Sequence, residues 1–201
     1  MKQKWLPSKY TQPLSTHFPT SGDVVIGLAE AFVVLPDRGY TKLKLTEWQK
    51  WLIRSVLERY PLDYPDQEKA GRLRYKQVVI SMPRKQGKTL LGSLFALWGL
   101  LAHESAPEVI SVASTADQAR LVYRQVLSQI NGSEILKNRF KKTTEFRGIY
   151  TANGDGRYVV VGNRPASAQG LHPSLVLFDE VHVANADLWT ALALGLSLIH
   201  I

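Results

Sequence analysis

The sequence predicts an α/β fold with a mainly parallel sheet flanked by helices on both faces. Three observations lead to that class. The β-branched run Val78, Val79, Ile80 stops at a polar turn, and a helical apolar pattern starts at Leu90. Val109 to Ala113 and Leu175 to Phe178 are short apolar runs of the length of buried strands. Helical stretches separate these runs, and parallel strands need such crossovers to return the chain to the same end of the sheet.

At 201 residues the chain can bury a substantial core. With 45% hydrophobic and 21% charged residues it is globular in composition. There is no cysteine, which excludes a disulfide framework and a cysteine zinc site and fits a reducing compartment. The net charge of +8 is compatible with a soluble basic protein and with contact to a polyanion such as nucleic acid. Pro7, Ser8 and Lys9 stand where a secretory signal would be apolar. The longest apolar runs are too short or too interrupted to span a membrane.

In chain order, residues 1 to 22 hold Pro7, Pro13 and Pro19 and read as an extended arm. Residues 23 to 201 are expected to form the folded domain. Val24 to Val34 reads as a helix ended by Pro36, and Thr46 as the N-cap of a helix that runs to about Tyr60, before Pro61. Lys76 to Met82 is expected as a buried strand and Lys88 to His103 as a helix. After the strand Val109 to Ala113, Ser114 and Thr115 cap a helix from Ala116 to Ile130, closed by Asn131-Gly132. Arg139 to Arg147 is basic and irregular or an edge strand. Asn153-Gly154-Asp155-Gly156 between two strand-like runs signals a hairpin. A further helix begins near Trp189, and the last residues, LSLIHI, end in an apolar stretch without a cap. This ending reads as an incomplete C-terminal edge, and its residues are not assumed to belong to the fold.

The chemistry centres on Pro83, Arg84, Lys85, Gln86, Gly87, Lys88 and Thr89. A strand, a basic turn with glycine and a helix are the parts of a phosphate-binding loop. Gly87 lets the backbone approach a phosphate, Lys88 reaches the β- and γ-phosphates, and Thr89 offers a hydroxyl to Mg²⁺. The usual first glycine is replaced by Met82. The second half of the motif is Asp179-Glu180, at the end of the run from Leu175 to Phe178. Ligands of such sheets bind beyond the carboxyl ends of the strands. There Asp179 would hold Mg²⁺, mostly through water, and Glu180 would polarise the attacking water as general base. Together the two halves predict a P-loop NTPase fold of the additional-strand (ASCE) type, with ATP and Mg²⁺ as ligands. The run Val109 to Ala113 is expected to supply the intervening strand.

Arg84 reads either as a solvated arginine or as a guanidinium that reaches the γ-phosphate. Gln49 reads either as an exposed helical amide or as a reader of an adenine edge, with Trp48 or Trp51 nearby. His172 and His182 flank the acidic strand without a third metal ligand at sensible spacing, which favours packing or hydrogen bonding over metal binding.

The loop MPRKQGKT resembles the deviant phosphate loop of tailed-phage terminase large subunits. The helix with Gln49, the lead-in Arg72-Leu73-Arg74, the segment Ala113-Ser114-Thr115-Ala116-Asp117-Gln118-Ala119, and Gln169-Gly170-Leu171-His172 followed by Asp179-Glu180-Val181-His182 resemble the same family in the same order. The resemblance, of the HK97-like type, covers about residues 24 to 195. It implies an ATPase motor that drives double-stranded DNA into a procapsid, with a portal protein and a terminase small subunit as partners. It also implies a homo-oligomeric ring, no membrane, and the host cytoplasm as location. The family's separate nuclease domain and its coupling motif are not recognisable in these residues. Many members place an arginine where this chain has Gln169. Arg164 is therefore the candidate to act in trans on a neighbouring subunit's nucleotide, with Arg157 as the alternative. Two rival readings remain at this level. Asp-Glu-Val-His also resembles the box of helicase-like ATPases, and a non-hydrolysing nucleic-acid-binding module could keep the same sheet.

Overall fold

The structure, a computed structural model, describes residues 6–35, 39, 41–102, 106–113, 115–141, 148–162, 170–179, 186–193 and 197–200. The chain divides into two compact units. One combines Met1–Ala31 with Leu43–Tyr75, and the other Phe32–Lys42 with Lys76–Ile201. No helix among the described residues is long and apolar enough to cross a membrane.

In the first unit α1 (Gly22–Phe32) buries Val25, Ile26 and Ala29. A Cβ at Gly22 would lie 2.6 Å from Arg54 Cα, so only glycine lets α1 start this close to α2 (Glu47–Val56). Thr46 is the N-cap of α2, as its position ahead of the apolar pattern predicts. The helix stops four residues short of Tyr60 because Glu58 and Arg59 leave it to form bridges with Thr20 and Leu73. Glu58, 1% exposed, accepts from Leu14 N at 2.8 Å, from Arg74 at 2.8 Å and from the Tyr75 hydroxyl at 3.1 Å. Tyr10 meets the edge of Trp51 at 5.1 Å. The N-terminal segment, largely exposed from residue 7 to 17, is thus tied to this unit at Tyr10, Gln12, Leu14 and Thr20.

The second unit holds a short antiparallel ladder, β1 (Val34–Leu35) with β2 (Thr41–Lys42), and a six-stranded sheet. Its strands are β3 (Gln77–Val79), β4 (Glu108–Val112), β5 (Ile149–Tyr150), β6 (Arg157–Val161), β7 (Leu175–Phe178) and β8 (Ser197–His200). The order is β3-β8-β7-β4-β6-β5, parallel throughout except for β5 on β6. The helices are α3 (Lys88–Ala102), α4 (Ala116–Asn131), the single turn α5 (Glu134–Lys137) and α6 (Ala186–Ala193).

Side chains alternate between the two faces of the sheet. Val109 and Leu175 face α3, where a Cβ at Gly99 would sit 2.7 Å from Leu175 and 3.0 Å from Val109. The missing side chain lets α3 lie directly on the sheet. Ile110, Val112, Val161, Val176 and Phe178 face the other way and form one core with Leu188 and Leu192 of α6. Phe178 also meets Trp189 at 5.2 Å between ring centres. Both faces are therefore covered, as the continuous apolar runs of β4 and β7 require.

Two expectations are corrected. The strand expected from Lys76 to Met82 is only Gln77–Val79, and it is not buried: Val79 is 71% exposed. β3 lies at the edge of the described sheet, where its outer side has no neighbour. The strand between β3 and β7 is also not Val109 to Ala113. β4 lies on the far side of β7, and β8 fills the intervening place by pairing with both. The parallel additional-strand architecture stands; the element that fulfils it comes from later in the chain.

Candidate active site

The phosphate loop leaves β3 and turns into α3 at Lys88. Its backbone takes two left-handed residues, Lys85 at φ 64 and Gly87 at φ 84. Glycine accepts that conformation freely, whereas for lysine it costs roughly 1–2 kcal/mol. Alternating hands turn successive N–H groups toward one side of a loop, which is how backbone nests hold anions. The first helical bond, Leu91 N to Gly87 O at 2.9 Å, sets the loop directly on the helix start. Pro83, Arg84, Lys85 and Gln86 are exposed, and Gly87, Lys88 and Thr89 are half-buried.

The acidic strand arrives at the same place. β7 runs parallel to β4 with Phe178 opposite Val112, and Asp179 N donates to Val112 O at 2.9 Å. That bond continues the ladder one residue past the strand and holds Asp179 at the carboxyl edge. Lys88 and Thr89 of α3, Ser111 of β4 and Phe178 and Asp179 at the end of β7 line one hollow, with Gly92 at its side. Sequence reasoning placed Lys88, Thr89 and Asp179 in the site, and these three come together.

The other candidates are distributed differently. Glu180, Arg164, Gln169 and His182 lie outside the described residues. His172 is exposed, and its N–H donates to the Glu108 carboxylate. Gln49 belongs to the first unit and is 9% exposed, so it is not the open helical amide of the first alternative. Its Oε1 accepts from Thr46 N at 2.9 Å and from the Thr46 hydroxyl at 3.0 Å, which employs that oxygen in capping α2.

Ser111 was missed. The residue is 1% exposed and its Oγ donates to Ala119 O at 3.1 Å, tying β4 to the first turn of α4. A serine inside the apolar run Val109 to Ala113 was the available signal. The left-handed Lys85 carried no such signal, because lysine is an ordinary loop residue in sequence.

The donor set suits a hard cation beside a phosphate. A threonine hydroxyl and a carboxylate are oxygen donors of the kind Mg²⁺ selects, and a lysine ammonium stands by them. Among the described residues no group of three or more His, Asp or Glu could enclose a metal. An ion here would complete its shell with water and phosphate oxygens, as Mg²⁺ prefers.

The family model described as "Terminase large subunit, ATPase domain" matches residues 62–198. The chain belongs to this terminase family. Its match begins at Leu62 and takes in the phosphate loop, β4, α4 and the acidic strand. Curated relatives include the terminase large subunits of Lactococcus phage SK1 and Lactococcus phage p2. Each is 28% identical over 153 residues, which is 73% of this chain and 27% of the relative. The chain thus spans about a quarter of the length of these terminases. Among solved structures, the crystal structure of the HK97 bacteriophage large terminase matches with a TM-score of 0.72 at 23% identity, over 91% of this chain and 38% of that one. That likeness shows a common fold.

Proposed function

We propose that this chain is the ATP-hydrolysing motor domain of a DNA-packaging terminase large subunit, which translocates double-stranded DNA into a procapsid. The observation that carries the reading is the meeting of Lys88, Thr89 and Asp179 at the carboxyl edge of the parallel strands. Loop N–H groups and Lys88 hold the β- and γ-phosphates of ATP. Thr89 and Asp179 hold Mg²⁺, which when bound neutralises charge on those phosphates. Glu180 follows Asp179 directly and takes a proton from the water that attacks the γ-phosphate in line. The bridging oxygen then leaves with ADP. Arg84, on the exposed part of the loop, stabilises charge on the transferring phosphoryl group. Arg164 performs the same service in trans within a homo-oligomeric ring.

The wider setting is part of the same proposal: a portal protein and a terminase small subunit as partners, and the host cytoplasm as the place of action. A nuclease domain belongs to a longer protein of this type.

A phosphate-release assay with and without duplex DNA tests the reading. Wild type hydrolyses ATP, Lys88→Ala loses nucleotide binding or turnover, and Glu180→Gln binds ATP without hydrolysing it. Normal turnover by either variant would overturn the assignment. Full DNA-stimulated turnover by Arg164→Ala would remove Arg164 from its role in trans.

A further inference from the structure

Beyond β5 a single antiparallel bridge extends the sheet edge. Phe140 bridges Thr151 in antiparallel sense, Lys141 N donates to Tyr150 O at 2.9 Å, and Ala152 N donates to Arg139 O at 2.9 Å. Phe140 at 5% and Thr151 at 8% exposure point inward. The pleat therefore turns Lys141 to the opposite face, together with Tyr150, while Arg139 sits in the turn just before Phe140. Tyr150 pairs in turn with Arg157 on β6. Lys141, Tyr150 and Arg157 thus form a cross-strand row, with Arg139 in the turn two residues before Lys141.

The charges in this row differ. Arg157 is bound to the buried Glu108 carboxylate, and Lys137, just before the strip, is paired with Glu134. Arg139 and Lys141 are exposed and have no ion pair among the described residues. Gly154, at φ 86, leaves room for the Lys141 ammonium over the hairpin turn. Tyr150, opposite Lys141, is 41% exposed.

We propose that this strip, Arg139, Lys141 and Tyr150, docks the phosphate backbone of double-stranded DNA. The inference rests on reading the chain as a DNA motor, and it gives that reading a surface away from the ATP site. Charge complementarity selects the occupant: two uncompensated cations on a chain of net charge +8. The tyrosine hydroxyl adds a neutral hydrogen bond of the kind that positions a protein on the backbone. The cations also blunt the sheet edge against pairing with another strand, which disfavours strand addition by a protein.

The test is binding of a fluorescent duplex to the whole chain over a salt series, with ATP turnover without DNA measured in parallel. Arg139→Ala with Lys141→Ala is expected to weaken binding about tenfold at low salt and to make the salt slope shallower by about two contacts. Basal turnover stays unchanged. Arg139→Lys with Lys141→Arg restores binding, and Tyr150→Phe weakens it less than the alanine pair. Absent binding by wild type, or equal binding by wild type and the alanine pair, overturns the strip. So does an equal loss from Lys44→Ala with Arg72→Ala, which removes two exposed cations elsewhere, or capture of polyglutamate as tight as that of DNA. None of these outcomes depends on ATP turnover, whose failure in wild type would instead strike the motor reading.

Discussion

Gln129 Nε2 donates to Ser93 Oγ at 2.6 Å, and both side chains are fully buried between α4 and α3. Ser93 Oγ passes the bond on to Leu90 O at 2.7 Å, in the first turn after the phosphate loop. Ser93→Ala leaves the Gln129 amide buried with less to bond and should cost about 1–3 kcal/mol. Ser93→Ala combined with Gln129→Met should recover at least half of that loss. Urea unfolding of both single variants and the double variant gives the coupling. Additive losses would show that the bond contributes nothing specific.

Glu58 is expected to be the most sensitive side chain of the first unit. Glu58→Leu removes the partner of Arg74 and the acceptor of Leu14 N, so a loss of about 3–5 kcal/mol follows from stranding a partly buried guanidinium. Residues 6–21 should then become open to proteases. Limited digestion of variant and wild type, followed by mass analysis of the first fragments, checks the order of cutting.

The alkaline limb of stability carries a signature of Tyr75. Burial first, and then the Glu58 carboxylate, push its phenol from 10.0 up to about 12. The unfolded chain releases this proton more readily than the folded one. The contribution is therefore intact below pH 10 and is lost as the pH rises from 10 to about 12. Tyr75→Phe should flatten the fall of unfolding free energy across that window. An unchanged slope would separate Tyr75 from alkaline unfolding.

The two left-handed residues of the phosphate loop should respond in opposite ways. Gly87→Ala forces a side chain to φ 84, costs about 1–2 kcal/mol, and lowers ATP affinity. Lys85→Gly removes that strain while adding freedom to the unfolded chain, so stability should change by less than about 1 kcal/mol. ATP binding that survives Lys85→Gly would locate the contribution of this residue in its backbone. Isothermal titration and thermal unfolding of the two variants make the comparison.

What could be read in the sequence was local. Thr115 accepts from Gln118 N and caps α4, Gly132 closes it, and the glycine turn joins β5 to β6, all from neighbouring residues. The phosphate loop and Asp179 were legible because each pairs an apolar strand with a polar ending. Pairing order was not, since an apolar run does not name its neighbour, and β4 was put in the place that β8 holds. The early end of α2 depends on bridges from Glu58 to Thr20 and from Arg59 to Leu73, which no helical period reveals. The exposure of Val79 likewise follows from its place at the sheet edge, not from its β-branched character.

The contact of Gly99 with Leu175 and Val109 gives α3 a mechanical character. Lys88 and Gly99 are separated by about 16 Å of helix. The helix is buried from Leu91 to Leu100, is seated most closely on the sheet at Gly99, and carries the phosphate loop at its near end. Tight seating of that distant glycine helps to fix the position of the helix that bears the loop, so a disturbance of the sheet beneath it would reach the loop without touching any residue in it.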